Sequence, residues 1–252
     1  SRARLEIRIL LPVRLRTADT DRGLALGDCR TSCSALRQGM SAFFNMPAVE
    51  KSLEDKGLAH AEISALRELV QLEWVHFDTV QGMSGRAACQ DDAVGFFVHR
   101  VAQYLSFPRE SIMAVRDDVV AADAAGRNVI REKYARMMEA TDPVAFARDW
   151  SGRLEAPSPV KRCVLDEIEG TLRSMLDIAQ CELPATAQHV RGSITQPKLI
   201  SSIGYYVCEI QSYSLSTLTC LRDGLQRQLS DHVNPILDTY VNAVLIQRVL
   251  EA

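Results

Sequence analysis

No apolar run in this chain approaches the roughly 18 to 20 residues needed to span a bilayer, and residues 9–13 (ILLPV) are too short for a signal-peptide core. Nothing in the sequence asks for a membrane. A strong basic excess is also missing: with 29 Lys and Arg against 32 Asp and Glu, the formal charge is −3. That removes the electrostatic footprint of a nucleic-acid binder. There is no CxxC. Seven cysteines, an odd number, are scattered through a chain too long to need disulfide staples, and the closest two, Cys29 and Cys33, are separated by three residues. The five histidines do not cluster near them, so no structural zinc site is expected, and a reducing cytoplasm fits best. Alternating strand patterns and internal repeats are lacking too. The class is all-α.

What is there is ordinary globular composition: 252 residues, 47% hydrophobic and 24% charged, enough to bury a sizeable core. Residues 1–39 carry eight arginines with little helical periodicity and read as a poorly ordered N-terminal extension. Residues 40–252 read as a single compact domain of about seven to nine helices, entered through a lead-in at 40–59. Ile63, Leu66, Val70, Trp74 and Phe77 recur at spacings of three and four, which puts them on one stripe of a helix ending near Val80. A second helix over 93–106 turns Val94, Phe97, Val101 and Tyr104 inward and stops before Pro108. Gly126 suits a helix C-terminus, Asn128 an N-cap, and Asp142-Pro143 and Ser158-Pro159 two further helix starts. The second of these runs through Val164, Ile168, Leu172 and Met175. Between 181 and 204 the periodicity fades, and a connection that long is often functional. Helical signals return from Tyr205, Leu215 and Pro235.

The chemistry concentrates in a few stretches. QGMSGRAACQDD (81–92) sits between two helices. Gly85 allows a turn or a close approach, a loop feeding a helix offers N–H groups to an anion, and Arg86 adds a planar fork for carboxylate or phosphate. Gln90 and Asp92 share this corner, although Asp92 stands where a helix cap belongs. Cys89, three residues from Arg86 and ahead of a helix N-terminus, is a candidate nucleophile; a small buried thiol is the competing reading. In REKYARMMEA, Glu132, Arg136 and Glu139 share a face that a solvated salt-bridge stripe would also explain. Glu73 lies among Val70, Trp74 and Phe77, where a carboxylate needs a cationic partner, with Arg86, Arg100, Arg127 and Arg136 available. Glu73-x-x-His76 matches one element of a di-metal bundle, but no second ExxH exists, so no metal ligand is assigned.

GMSGRAACQDD, GRNVIREKYARMMEATDP and EIQSYSLSTL, in that order, resemble the recurring segments of the family catalogued as domain of unknown function 4125, with its GGRA-like and CQ-x-D stretches. The resemblance spans about residues 60–250. Ser84 departs from it, standing where the pattern usually has the first glycine. It implies a shared architecture and a shared site, without a reaction.

Two functional expectations follow. In the first, the protein is a small-molecule enzyme with an anion-binding pocket: Arg86, Gln90, Asp92, Arg100, Arg127, Tyr134 and Arg136 hold a small anionic ligand, and Cys89, Glu132 or Glu73 attacks or moves a proton. In the second, it is a non-catalytic helical interaction or scaffold module whose arginine–carboxylate pairs lock the core. Convergence of Arg86, Glu132 and Arg136 on one open concavity favours the enzyme; mutual pairing in a closed core favours the module. Neither cofactor nor oligomeric state is encoded legibly.

Overall fold

The computed structural model describes residues 26–81, 85–182 and 201–252. Among them are eleven α-helices and no strand. They are α1 (Leu26–Phe44), α2 (Pro47–Asp55), α3 (His60–Asp78), α4 (Ala93–Ser106), α5 (Ser111–Ala124), α6 (Val129–Thr141), α7 (Pro143–Asp149), α8 (Pro159–Glu182), α9 (Ser202–Ile210), α10 (Leu215–Ser230) and α11 (Pro235–Glu251), with a 3₁₀ turn at Ala88–Asp91 ahead of α4.

The all-α class holds, and the count exceeds seven to nine because two helices precede residue 60. Helix α1 starts inside the stretch read as an extension, whose first 25 residues lie outside the described ones. Its Leu36, Met40 and Phe44 recur every four residues and pack on the core, as do Val49 and Leu53 of α2. Much of the faded stretch, 183–200, also lies outside the described residues.

Helix boundaries fall where local chemistry puts them. Gly126 takes φ +72 after α5, a left-handed turn without Cβ strain. Asn128, Asp142 and Ser158 each accept an N–H bond from three residues ahead, from Arg131, Ala145 and Lys161, at 2.8, 3.1 and 3.2 Å. Pro108 lies just ahead of α5, its carbonyl accepting the Ser111 N–H at 2.9 Å. Helix α3 is the central element, touching α1, α4, α5 and α6; α11 lies along α4, α10 on α8 and α5, and α9 on α6 and α8. The predicted stripe of α3 is buried throughout. In α4, Phe97, Val101 and Tyr104 point inward as expected, but Val94, in the first turn, is exposed, and Phe96 is buried instead.

Helix α10 approaches the Phe107–Pro108 corner through Gly224, where a methyl group would come within 2.6 Å of Pro108 Cγ. A proline ring cannot rotate away. Gly224→Ala should therefore cost about 1–3 kcal/mol in urea denaturation, the usual range for overpacking, despite alanine's better helix propensity. An unchanged or raised midpoint would show that the two elements separate freely.

Candidate functional site

Four charged side chains on helix positions otherwise given to apolar residues meet at the centre of the bundle. Glu73 on α3, Arg100 on α4, Lys133 on α6 and Glu209 on α9 are all buried. Arg100 forks onto Glu73, its Nε donating to Oε2 at 2.9 Å, and both of its terminal nitrogens donate to Glu209 Oε1 at 3.0 Å. Lys133 Nζ reaches Glu209 Oε2 at 2.5 Å and lies over the Tyr205 ring, 3.7 Å from its centroid. The Tyr104 hydroxyl donates to Glu73 at 2.7 Å. Two cations and two carboxylates cancel. Burial alone would raise the Glu209 carboxyl, and the Arg100 and Lys133 charges overcome it, holding it down to about 2. The cluster is closed.

The 85–92 loop is likewise spent on itself. Gly85 has φ +89, and Gln90, 1% exposed, docks beneath the end of α3. Its amide donates to the carbonyls of Phe77 and Val80 at 2.7 and 2.8 Å and accepts the Ala87 N–H at 2.7 Å. Arg86 spans Asp78 and Asp91, at 2.5 and 2.8 Å, and the Gln90 carbonyl at 2.6 Å. Asp92 caps α4 by accepting the Gly95 N–H at 2.8 Å. Burial, with Asp91 and Asp92 nearby, pushes the Cys89 thiol up, the opposite of what activates a nucleophile.

The open concavity lies elsewhere. A cavity of about 560 Å³ is bounded by Asp118 and Ala122 near the end of α5, Arg127, Glu132 and Arg136 around α6, residues 153–158, Lys161 on α8, and residues 211–214 between α9 and α10. Arg127 holds Glu132 through two hydrogen bonds of 2.8 and 2.6 Å. Arg136, only 9% exposed, has no carboxylate within ion-pair distance among the described residues. It donates instead to Gln211 Oε1 at 3.0 Å and the Glu155 carbonyl at 3.1 Å, and its Nε has no partner. Lys161 Nζ likewise meets a neutral acceptor, the Gln211 carbonyl, at 2.8 Å. Burial pushes both cations below their ordinary values; Arg136 pushes Lys161 further, Glu155 and Asp118 pull the other way, and Arg127 adds the smallest push.

The structure thus divides the sequence-predicted residues among three places. Arg127, Glu132 and Arg136 meet at the cavity; Glu73 and Arg100 lie in the closed cluster; Arg86, Cys89, Gln90 and Asp92 build the 85–92 loop. Tyr134, 2% exposed, is buried with its hydroxyl 3.2 Å from that of Tyr205 and does not line the cavity. His76 turns to Asp123 at 3.0 Å while Glu73 turns to Arg100, so the ExxH pair does not converge. Sequence reasoning missed Lys133, Glu209, Lys161 and Gln211. A signal existed for the first two: Lys133 falls between Ile130 and Met137, and Glu209 between Tyr206 and Tyr213, on apolar stripes.

Comparison with known proteins adds one match. The sequence profile described as Protein of unknown function (DUF4125) covers residues 64–247. No curated protein and no solved structure matches the chain.

Proposed function

Given that the chain belongs to the DUF4125 family of proteins of unknown function, we propose that it is an enzyme acting on a small anionic molecule bound in the cavity between α5, α6, α8 and the α9–α10 connection. The observation that carries this reading is Arg136, a nine-tenths-buried guanidinium on the cavity wall that has, among the described residues, no carboxylate within ion-pair distance and no partner for its Nε–H. Burying a cation without a counterion costs stability, and an arriving carboxylate or phosphate repays that cost by charge-assisted hydrogen bonds. The volume suits a small metabolite. The segments GRNVIREKYARMMEATDP and EIQSYSLSTL both contribute, supplying Arg136 and Gln211 to the cavity while Lys133 and Glu209 join the cluster.

Calorimetric titration with inorganic phosphate, citrate and pyruvate tests it. At least one of these anions should bind and raise the melting temperature. Arg136→Gln should bind that anion roughly 10- to 150-fold more weakly, the equivalent of a lost charged hydrogen bond. Equal affinity in wild type and variant, or no binding of any of the three, would remove the pocket. The closed Glu73–Arg100–Glu209–Lys133 cluster favours the interaction-module reading for its own residues, but it leaves Arg136 and Lys161 unexplained.

A further inference from the structure

From the geometry of the same cavity we infer that Lys161 is a nucleophilic amine that forms an imine with the carbonyl group of a small oxo acid whose carboxylate is held by Arg136. The inference rests on the anion-pocket reading and names its substrate class. Arg136 and Lys161 both bond Gln211, one to its side-chain oxygen and the other to its main-chain oxygen, at 3.0 and 2.8 Å. The two cations therefore share one partner residue on the wall of one cavity. A 2-oxo acid places its carbonyl carbon one bond from its carboxylate, so a carboxylate seated on Arg136 leaves that carbon in the same cavity as the Lys161 amine.

The surroundings suit a neutral amine. Lys161 has no carboxylate within ion-pair distance among the described residues, and its single bond is to a carbonyl. Facing it are Arg127 and Arg136 from α6 and its approach, Glu155 from the α7–α8 connection and Asp118 from α5. Partial burial disfavours the charged amine most and the Arg136 guanidinium next, against Glu155 and Asp118, while Arg127, paired with Glu132, adds little; a desolvated lysine beside another cation is how such a nucleophile is activated. Glu155 and Asp118 line the same cavity and are its nearest opposing charges to Lys161.

The step balances without a further reagent. The Lys161 nitrogen lone pair forms the C–N bond while the carbonyl π pair moves to oxygen, which takes up a proton; nitrogen loses one. The carbinolamine hydroxyl then leaves as water with a second proton as the C=N bond forms. One amine and one carbonyl compound give one imine and one water.

Sodium borohydride trapping of the full chain with glyoxylate, the smallest oxo acid, followed by intact-mass analysis and peptide mapping, tests this. At neutral pH a single reduced adduct should form on Lys161 at least tenfold faster than on Lys51 or Lys56. It should be absent from a folded Lys161→Arg variant and at least tenfold slower in Arg136→Gln. Labelling spread evenly over the lysines, or unchanged in Lys161→Arg, overturns the assignment. If phosphate, citrate or pyruvate still binds the wild type and is weakened by Arg136→Gln while glyoxylate leaves no Lys161 adduct, the pocket stands and the amine chemistry falls. If none of the anions binds, both fall.

Discussion

Arg100→Met should leave the protein less stable by about 3–5 kcal/mol in urea denaturation at neutral pH, or unfolded outright. Methionine keeps most of the stem's volume, so packing changes little. What is lost is the guanidinium between Glu73 and Glu209. Glu209 retains Lys133, whereas Glu73 is left with the Tyr104 hydroxyl alone, a buried carboxylate without a cation. Adding Glu73→Leu should recover part of the loss, because it removes the stranded charge and leaves Lys133–Glu209 as a neutral pair. Replacing buried ion pairs by apolar groups is often nearly neutral. A loss under about 1 kcal/mol for Arg100→Met would mean that water reaches the cluster and that its charges are not paired in a dry core. The same cluster sets an acid limb. Glu209, held down to about 2 when folded, carries a stabilising contribution of roughly 3 kcal/mol that is complete above the unfolded carboxylate range. It is surrendered as pH falls from about 4.5 toward 2, so acid unfolding should steepen in that window.

The second large effect is expected at Gln90. Gln90→Leu abandons the carbonyls of Phe77 and Val80 and the Ala87 N–H at a site from which water is excluded. A buried group left unpaired costs about 1–3 kcal/mol, and some relaxation of the loop toward solvent lowers the sum, so a loss of about 2–4 kcal/mol is expected. Hydrogen exchange should accelerate at the end of α3 and in the 85–92 loop. Arg86→Ala should cost less, since the Arg86 side chain is 41% exposed and its partner Asp91 is 69% exposed. A larger loss for Arg86→Ala than for Gln90→Leu would show that the arginine, and not the amide, organises the loop.

The described part of that loop, GRAACQDD (85–92), is accordingly a self-satisfied connection. Its residue types were legible as chemistry, but their partners were not. Arg86 could have faced a ligand; it faces Asp78 and Asp91 because the chain reverses after α3 and returns to it. Cys89 stood ahead of a helix N-terminus, yet burial, with the neighbouring carboxylates adding to it, pushes its thiol up. At the cavity the sequence named Arg127, Glu132 and Arg136, which share one helix and its approach. Lys161 and Gln211, 50 residues apart, look like an ordinary surface lysine and an ordinary loop amide until α8 and the α9–α10 connection close around them.

By itself the sequence determined what depends on neighbours three and four residues away. These are the helical class, the caps at Asn128, Asp142 and Ser158, the left-handed stop at Gly126 and the stripe of α3. The same local rule also reached Glu73, a charge lying among apolar positions, and left Arg100 as one of four cations available to it. The tertiary structure alone decided whom those charges meet. Arg100 finds Glu73 27 residues away and Glu209 109 away, Lys133 finds Glu209 across 76, and Arg136 finds Gln211 across 75. Periodicity says which side of a helix turns inward, but whether a buried cation is neutralised or left facing a cavity depends on the carboxylates that other helices bring. For Arg100 they bring two, and for Arg136 they bring none within ion-pair distance among the described residues.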